Sequence, residues 1–425
     1  MPRWSGSARG ATRAAVLSLR RIPPGLLPIY GLVFVAAMVQ SALAPLGPLY
    51  AAQLHLSRVQ LGELFAAAGF STLLVVLPVG VFGDRLGSRR ITVGAAVLIA
   101  LSALGQGLAP DFLLLLASRV VFGVAFGTVW TAGVAYLSES GSAEQRSARL
   151  GATIPVSGVA TSVGPAFAGV LAAQAGVGVP FAVIAAIAVL IAVALMRAPV
   201  VAPPTTRASR PSRSSSPWKA ARTSRLVVAP AVIMVIAGLS NSVTNLLGPV
   251  QLRVNGVSIN AIGVLLAAAA VLYILASLYV SRLGARAATV RAAGIATFLL
   301  GASLLLPAAS TATVPLCAFI LIRSMFHAAM TTIAYPIAAA GGEAAGIGAS
   351  TALGLTNAGW AASSVVGPLA GGAIAQAGGN RAAFAVLLPL TLIAAVWLLV
   401  GRRGLGEHPA ARTAPRPSDL PDGNP

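Results

Sequence analysis

The sequence predicts an all-α membrane protein whose twelve transmembrane helices form two pseudo-symmetric six-helix bundles. An apolar composition, twelve apolar runs and an internal repeat lead there. Of 425 residues, 57% are hydrophobic and only 9% charged, with a mean hydropathy of +0.87. Soluble domains carry roughly 25% charged residues, so that class is excluded. Twelve spans of about 20 residues need about 240 apolar positions, which is what 57% of this chain supplies. The net charge of +20 fits basic loops at a membrane face better than nucleic-acid binding. A single cysteine, Cys317, excludes a disulfide framework and any multi-Cys metal site; no cofactor is expected.

Apolar runs punctuated by Gly, Pro and charge place the spans at 28–50, 59–82, 91–109, 112–137, 149–174, 179–196, 226–250, 258–280, 290–307, 313–338, 347–375 and 381–400. Ala42, Leu43 and Ala44 resemble a signal-peptide cleavage box, but Pro45 follows directly and the run is too long, so no cleavage is expected. The first bundle is bounded at 26–197 and the second at 226–401. Between them, 198–225 is rich in Pro, Ser and Arg with no acid, a linker that hugs the membrane or carries phosphorylation. The segments 1–25 and 402–425 flank the bundles, and the tail reads as disordered.

Basic residues set the orientation. Twenty-four fall before span 1, in the even-numbered loops, in the linker or in the tail, against Arg58, Arg253 and Arg381 at the other face. Anionic headgroups attract the larger set, which puts both termini in the cytoplasm of a multi-pass plasma (inner) membrane protein.

The halves repeat each other. Arg119 and Glu139 have counterparts 204 positions on, Arg323 and Glu343. Gly151, Gly164, Pro165 and Gly169 recur 203 positions later as Gly354, Gly367, Pro368 and Gly372. Two parallel six-helix repeats about an axis along the membrane normal are a known transporter architecture, with substrate held between them at mid-membrane.

The 2–3 loop reads Gly80, Gly83, Asp84, Arg85, Gly87, Arg89 and Arg90 in the spacing of a signature loop. Here the chain resembles the major facilitator superfamily across all twelve spans. Gly87 permits a tight turn and the arginines suit the lipid face. The resemblance implies that Asp84 meets the start of span 11 and latches the outward-open state. Arg119, Gly123 and Gly127 are similar to the family's span-4 motif, whose arginine is associated with proton transfer. Arg119 lies about 12 Å past Asp111. A cation at that depth costs at least ~2.5–3.5 kcal/mol, so it needs a partner or a wet cavity, and a packing role is the other reading. Gly151, Gly164, Pro165 and Gly169 resemble the family's antiporter motif, although Ala160 and Ala168 stand where glycine is usual; a packing kink is the alternative. Gly367 and Pro368 repeat it.

Of the nine acids only Glu63 falls clearly within a span, so it is either a proton carrier or an interfacial carboxylate. Span 1 offers Gln40 where many family exporters of cationic drugs carry an acid, which favours neutral, zwitterionic or anionic cargo. His327, one turn after Arg323, is a packed histidine or a proton or substrate ligand. Asn241 and Asn245 share a stripe of span 7, and Asn357 lies on a stripe of span 11. Because the family's cavity is lined by spans 1, 4, 7 and 10, Gln40, Asn241, Asn245 and Arg323 are substrate candidates, and the polar stripe of span 11 adds Asn357.

The expected function is export of small organic molecules, drugs or natural products, in exchange for protons by alternating access. The expected partners are that substrate, protons and anionic lipid, with no nucleic acid, the chain acting as a monomer. Proton-coupled uptake of a nutrient or metabolite is the rival, and a non-transporting sensor a remote one. An intramembrane enzyme would need a nucleophile–base pair or paired aspartates, and neither is visible.

Overall fold

The computed structural model describes residues 24–138, 143–198, 224–284, 288–347 and 349–400. Residues 1–23, the linker over 199–223, the tail from 401 and Glu139 lie outside the described residues, as do the side chains of Asp84 and Arg85. The expected latch between Asp84 and span 11 therefore falls outside them too.

Helix α1 is Leu27–Gln53, α2 Arg58–Leu86 and α3 Ser88–Leu108. Helix α4 starts as Phe112–Thr128, widens into a π turn at Val129–Gly133 and ends as Val134–Ser138. Then come α5 Ala143–Ala175, α6 Gly178–Arg197, α7 Arg225–Val254 and α8 Ile259–Leu283. Helix α9 runs Val290–Ser303 and Leu305–Ala309, and α10 is Thr313–Ala344. The last two spans form one helical stretch, Ala349–Val400, broken at Gly379, where φ is 78° and ψ 168°. Its 52 residues would extend about 78 Å as one rod, more than twice a bilayer's hydrocarbon core. We number its arms α11 (349–378) and α12 (380–400). Eleven stretches among the described residues are long and apolar enough to cross a membrane, and one of these holds both α11 and α12.

Several helices outrun the apolar runs. Helix α5 begins at Ala143 rather than 149, so Arg146 and Arg149, expected in a loop, stand on its first turns. Helix α10 continues to Ala344, beyond the expected 338. A helix need not stop where the apolar run stops, since each added residue gains a backbone hydrogen bond.

The repeat reaches the backbone of the turns. Left-handed residues occur at His55 and Gly256, at Gly87 and Gly284, and at Gly176 and Gly379. Each pair joins corresponding helices, α1–α2 with α7–α8, α2–α3 with α8–α9, and α5–α6 with α11–α12. Glycine takes such φ values freely, whereas His55, at φ 50°, holds one with a side chain attached. Helices α2 and α8 both start at a serine cap: Ser57 Oγ accepts from Gln60 N at 3.2 Å, and Ser258 Oγ accepts from Ala261 N at 3.2 Å.

The two halves meet at the end carrying the α1–α2 and α7–α8 turns. There α2 packs on α11, and α5 on α8. A methyl group on Gly372 would lie 2.5 Å from Arg58 O and 3.4 Å from Gly62 Cα. One on Gly169 would lie 3.0 Å from Ile259 O and 3.1 Å from Gly263 Cα. Glycine is what lets these backbones approach so closely. Arg58 adds polar contacts across the interface, its N–H donating to Gln376 Oε1 at 3.1 Å and its Nη1 to Ala375 O at 3.0 Å.

Further along these helices, a side chain added at Gly158 on α5 or at Gly354 on α11 would meet open space. The hydrophobic core divides. One core joins the first half to Leu246, Ile262, Phe319 and their neighbours, whereas Ala229, Ile233, Leu300 and Met330 form a separate core within the second half.

Candidate functional site

Arg119 on α4 is buried, 1% exposed, and is completed by three other helices. Its Nε donates to Leu64 O on α2 at 3.3 Å, Nη1 to Gln106 Oε1 on α3 at 3.5 Å, and Nη2 to Gln40 Oε1 on α1 at 3.5 Å. The guanidinium carbon stands 4.9 Å from the centroid of the Phe122 ring. Behind it, Tyr50 donates to Gln106 O at 2.6 Å and Gln106 Nε2 to Ser102 O at 3.2 Å. The partner that a buried cation demands is therefore a set of neutral carbonyls and a ring.

Gly123 and Gly127 serve contact between α2 and α4. A side chain at Gly123 would strike Ala68 O and Ser71 Oγ, and one at Gly127 would lie 2.7 Å from Val75 Cγ1. Thr72 Oγ1 donates to Gly123 O at 2.8 Å across that contact.

The second half places Arg323 on α10 beside Asn241 on α7. Nη2 reaches Asn241 Oδ1 at 3.5 Å, while Nε and Nη1 find no acceptor. Asn241 stands 201 positions after Gln40, so one arginine–amide pair occurs in each half. His327 and Thr331 occupy the places of Gly123 and Gly127. The His327 ring lies 5.5 Å from Tyr273 on α8 and 5.6 Å from Trp360 on α11, and it hydrogen-bonds the Ala237 backbone. Tyr273 Oη and Thr331 Oγ1 are 2.9 Å apart. No carboxylate pairs with Arg119 or Arg323 among the described residues.

The remaining candidates divide. Gln40 is exposed, and Asn241 and Asn245 are half-buried. Asn357 accepts from Tyr335 Oη at 3.0 Å at an exposed position. Glu63 is half-buried one residue from Leu64, but makes neither an ion pair nor a hydrogen bond with Arg119. Gly164 packs against Ser41 and Met38 of α1, and Gly367 repeats this on α7, where an added Cβ would lie 2.9 Å from Ser242 Cβ and 3.6 Å from Leu239 Cα. Pro165 and Pro368 supply the carbonyls that oppose Gly263 and Gly62. Gly151 lies in α5, and Gly80, Asp84 and Arg85 in α2. Gly87 makes the turn at φ 84°. Arg89 Nε and Nη2 donate to Leu195 O and Met196 O at 3.1 and 2.7 Å, capping α6. Arg90 is exposed. Between α5 and α8 a groove of about 500 Å³ is apolar apart from Ser162 and offers a charged ligand nothing.

Gln106, Tyr50, Tyr273 and Trp360 are the side chains that sequence reasoning missed. A lone amide within the apolar run of α3 was the available signal for Gln106.

The profile of the Major Facilitator Superfamily matches residues 29–252 and 230–421. The chain belongs to this superfamily. Members of this superfamily are membrane transporters and not enzymes. Multidrug resistance protein 2 of Bacillus subtilis is 28% identical over 161 residues, 38% of this chain and 40% of that protein. The D-xylose transporter of Levilactobacillus brevis is 29% identical over 94 residues, 22% and 21% of the two chains. The vesicular acetylcholine transporter of Rattus norvegicus is 31% identical over 184 residues, 43% and 34%. The matches thus span less than half the length of these relatives. Among solved structures, a bacterial homologue of the human lysosomal transporter Spinster, inward-facing and unoccupied, superposes with a TM-score of 0.67 at 15% identity, covering 88% of this chain and 94% of that one. The nucleoside transporter NupG gives 0.68 at 12% identity, covering 88% and 99%. At such identities these structures establish the shared major facilitator fold alone.

Proposed function

We propose that this superfamily member exports small organic molecules in exchange for protons, with both termini cytoplasmic, and that the fold described above is its inward-open state. The observation that carries the reading is Arg119, a fully buried cation held by neutral groups, one of which, Gln40, is exposed. Protonation and substrate bind alternately to opposite states, so each shifts the population the other needs. Helix α5 fits the coupling element, since Gly164 packs it on α1 of its own half and Gly169 on α8 of the other. Its likeness to the family's antiporter motif favours export, as does the match to Multidrug resistance protein 2. Matches to D-xylose transporters favour proton-coupled uptake instead.

Transport direction separates the two. Inverted membrane vesicles, acidified and followed by dye, should release protons when one member of a mixed antibiotic and metabolite panel is added. Arg119→Ala vesicles with normal protein levels should not. Uptake into right-side-out vesicles under an inward proton gradient, without a response in inverted ones, would overturn export.

A further inference from the structure

We infer that the second half recognises cargo through an anionic group, a carboxylate on a small, partly aromatic molecule, with Arg323 as its receptor. This rests on the transport reading and names the class of cargo.

Arg323 is 6% exposed, yet its Nε and Nη1 have no acceptor, leaving three N–H bonds without one. Its single hydrogen bond, to Asn241, is long at 3.5 Å. One turn further on, His327 Nδ1 is also buried without a partner. The pseudo-equivalent Arg119 is equally buried but has an acceptor at every nitrogen: Leu64 O at Nε, and Gln106 and Gln40, each also at 3.5 Å, at Nη1 and Nη2. The fold therefore knows how to satisfy a guanidinium with neutral groups, and does so in one half only. An uncompensated cation within the hydrocarbon region is strongly unfavourable, and an incoming anion removes that cost. Guanidinium to carboxylate is the strong, charge-assisted form of that contact, and two N–H groups match two oxygens.

The surroundings fit the rest of such a molecule. The rings of Tyr273 and Trp360 both pack near His327, at 5.5 and 5.6 Å. Aromatic walls with few polar groups suit a planar apolar body. Asn241, which accepts from the arginine, and Asn245, one turn further along the same stripe of α7, are both half-buried.

The test uses the full-length protein in lipid nanodiscs, with benzoate, 1-naphthoate and indole-3-acetate as probes and their uncharged amides as controls. Thermal stabilisation and tryptophan quenching should saturate with the carboxylates, and the amides should bind about tenfold more weakly or worse. Arg323→Gln should erase the preference for carboxylate, and Arg323→Lys should keep part of it, having charge without the planar fork. Arg381→Gln, which removes one positive charge elsewhere, should keep all of it. Size-exclusion profiles establish that each variant is folded. Equal binding of acids and amides, or a preference that survives Arg323→Gln, would overturn the inference. The vesicle assay keeps the two readings apart. Carboxylate binding without any proton release would remove export and leave the anion site. Proton release by neutral or cationic compounds, with no carboxylate preference, would do the reverse.

Discussion

In the first half a buried arginine is satisfied by protein; in the second its counterpart waits with donors free. Both halves place an arginine on the fourth helix of the bundle and an amide on the first, Arg119 with Gln40 and Arg323 with Asn241, each pair at 3.5 Å. Around that common pair they diverge. The first half uses Gly123 and Gly127 to bring α2 against α4, which places Leu64 O where Arg119 can reach it. The second half has His327 and Thr331 at those positions, and the aromatic side chains of Tyr273 and Trp360 pack near His327. A duplicated unit has thus kept its scaffold while one copy specialised in holding its charge and the other in offering it. Four experiments can break or sharpen that contrast.

The largest effect is expected where the first half is made to resemble the second. In Gly123→His the new Cβ would meet Ala68 O and Ser71 Oγ, with the Ala68 carbonyl carbon at 2.8 Å. Backbone cannot yield as a side chain does, so α2 and α4 must separate and Leu64 O leaves Arg119. Overpacking alone costs about 1–3 kcal/mol, and the lost charge-assisted bond adds to it. We expect most of this variant to be lost from the folded, monodisperse fraction. The reverse change, His327→Gly, costs about 1 kcal/mol in helix propensity plus a cavity beside Trp360, and should still fold. Equal yields of the two variants would break the contrast.

Exchanging the arginines comes next. Arg119→Gln strips the donors from Gln106, Gln40 and Leu64 O, and should lower stability by about 1–3 kcal/mol. Arg323→Gln leaves only Asn241 without its long hydrogen bond, and removes an unpaired buried charge. Its stability should change by less than about 1 kcal/mol or rise. Thermal melts of both variants in one detergent check the order, and the opposite order would dissolve the distinction between a held and an offered charge.

Much of this was legible in the sequence, for physical reasons that differ by feature. Twelve spans follow from composition, because a bilayer demands about 20 apolar residues each time. The equivalence of Arg119 and Arg323 follows from their offset of 204, and Gln40 and Asn241 stood out as polar side chains in apolar helices. What stayed hidden is pairing between helices distant in sequence. Gln106 carries no periodic signal, and its role depends on Arg119 crossing from the next helix. Tyr273 and Trp360 look like any lipid-facing aromatic until α8, α10 and α11 converge on His327. Gly123 was read through a family motif centred on the arginine, while its contacts are with α2. The expected end of α10 at 338 fell short because hydropathy reports the bilayer and not the helix.

Where the two halves touch, the comparison becomes one of tolerance. A Cβ on Gly372 would lie 2.5 Å from Arg58 O, but one on Gly169 would lie 3.0 Å from Ile259 O. Alanine at 372 must therefore push α2 aside, and alanine at 169 needs a shift of a few tenths of an ångström. Both favour opening of this end, the first by about 1–2 kcal/mol, a five- to thirtyfold shift in population. Spin-label distances across α2–α11 and α5–α8, on a Cys317→Ser background, should show the longer population growing more in Gly372→Ala. A uniform response would mean that the two contacts are energetically interchangeable.

The smallest effect tests the caps beneath those contacts. Ser57 and Ser258 are equivalent, and each accepts from the N–H three residues on. Only the first is reciprocated, by Gln60 Oε1 accepting from Ser57 N at 2.9 Å; Ala261 has no side chain to return the bond. Ser258→Ala should cost about 1 kcal/mol. Ser57→Ala should cost a similar amount for the cap itself, since Gln60 can still hold the Ser57 N–H. The turn that Ser57 organises also carries Arg58, whose N–H and guanidinium bind the end of α11. Loosening it should therefore raise hydrogen exchange across 372–378, in the opposite half of the molecule. Ser258→Ala has no such polar bridge to transmit, so exchange should rise only over 259–263. If exchange in α11 is unchanged by Ser57→Ala, Arg58 grips α11 without help from its cap, and the two halves are alike in this respect.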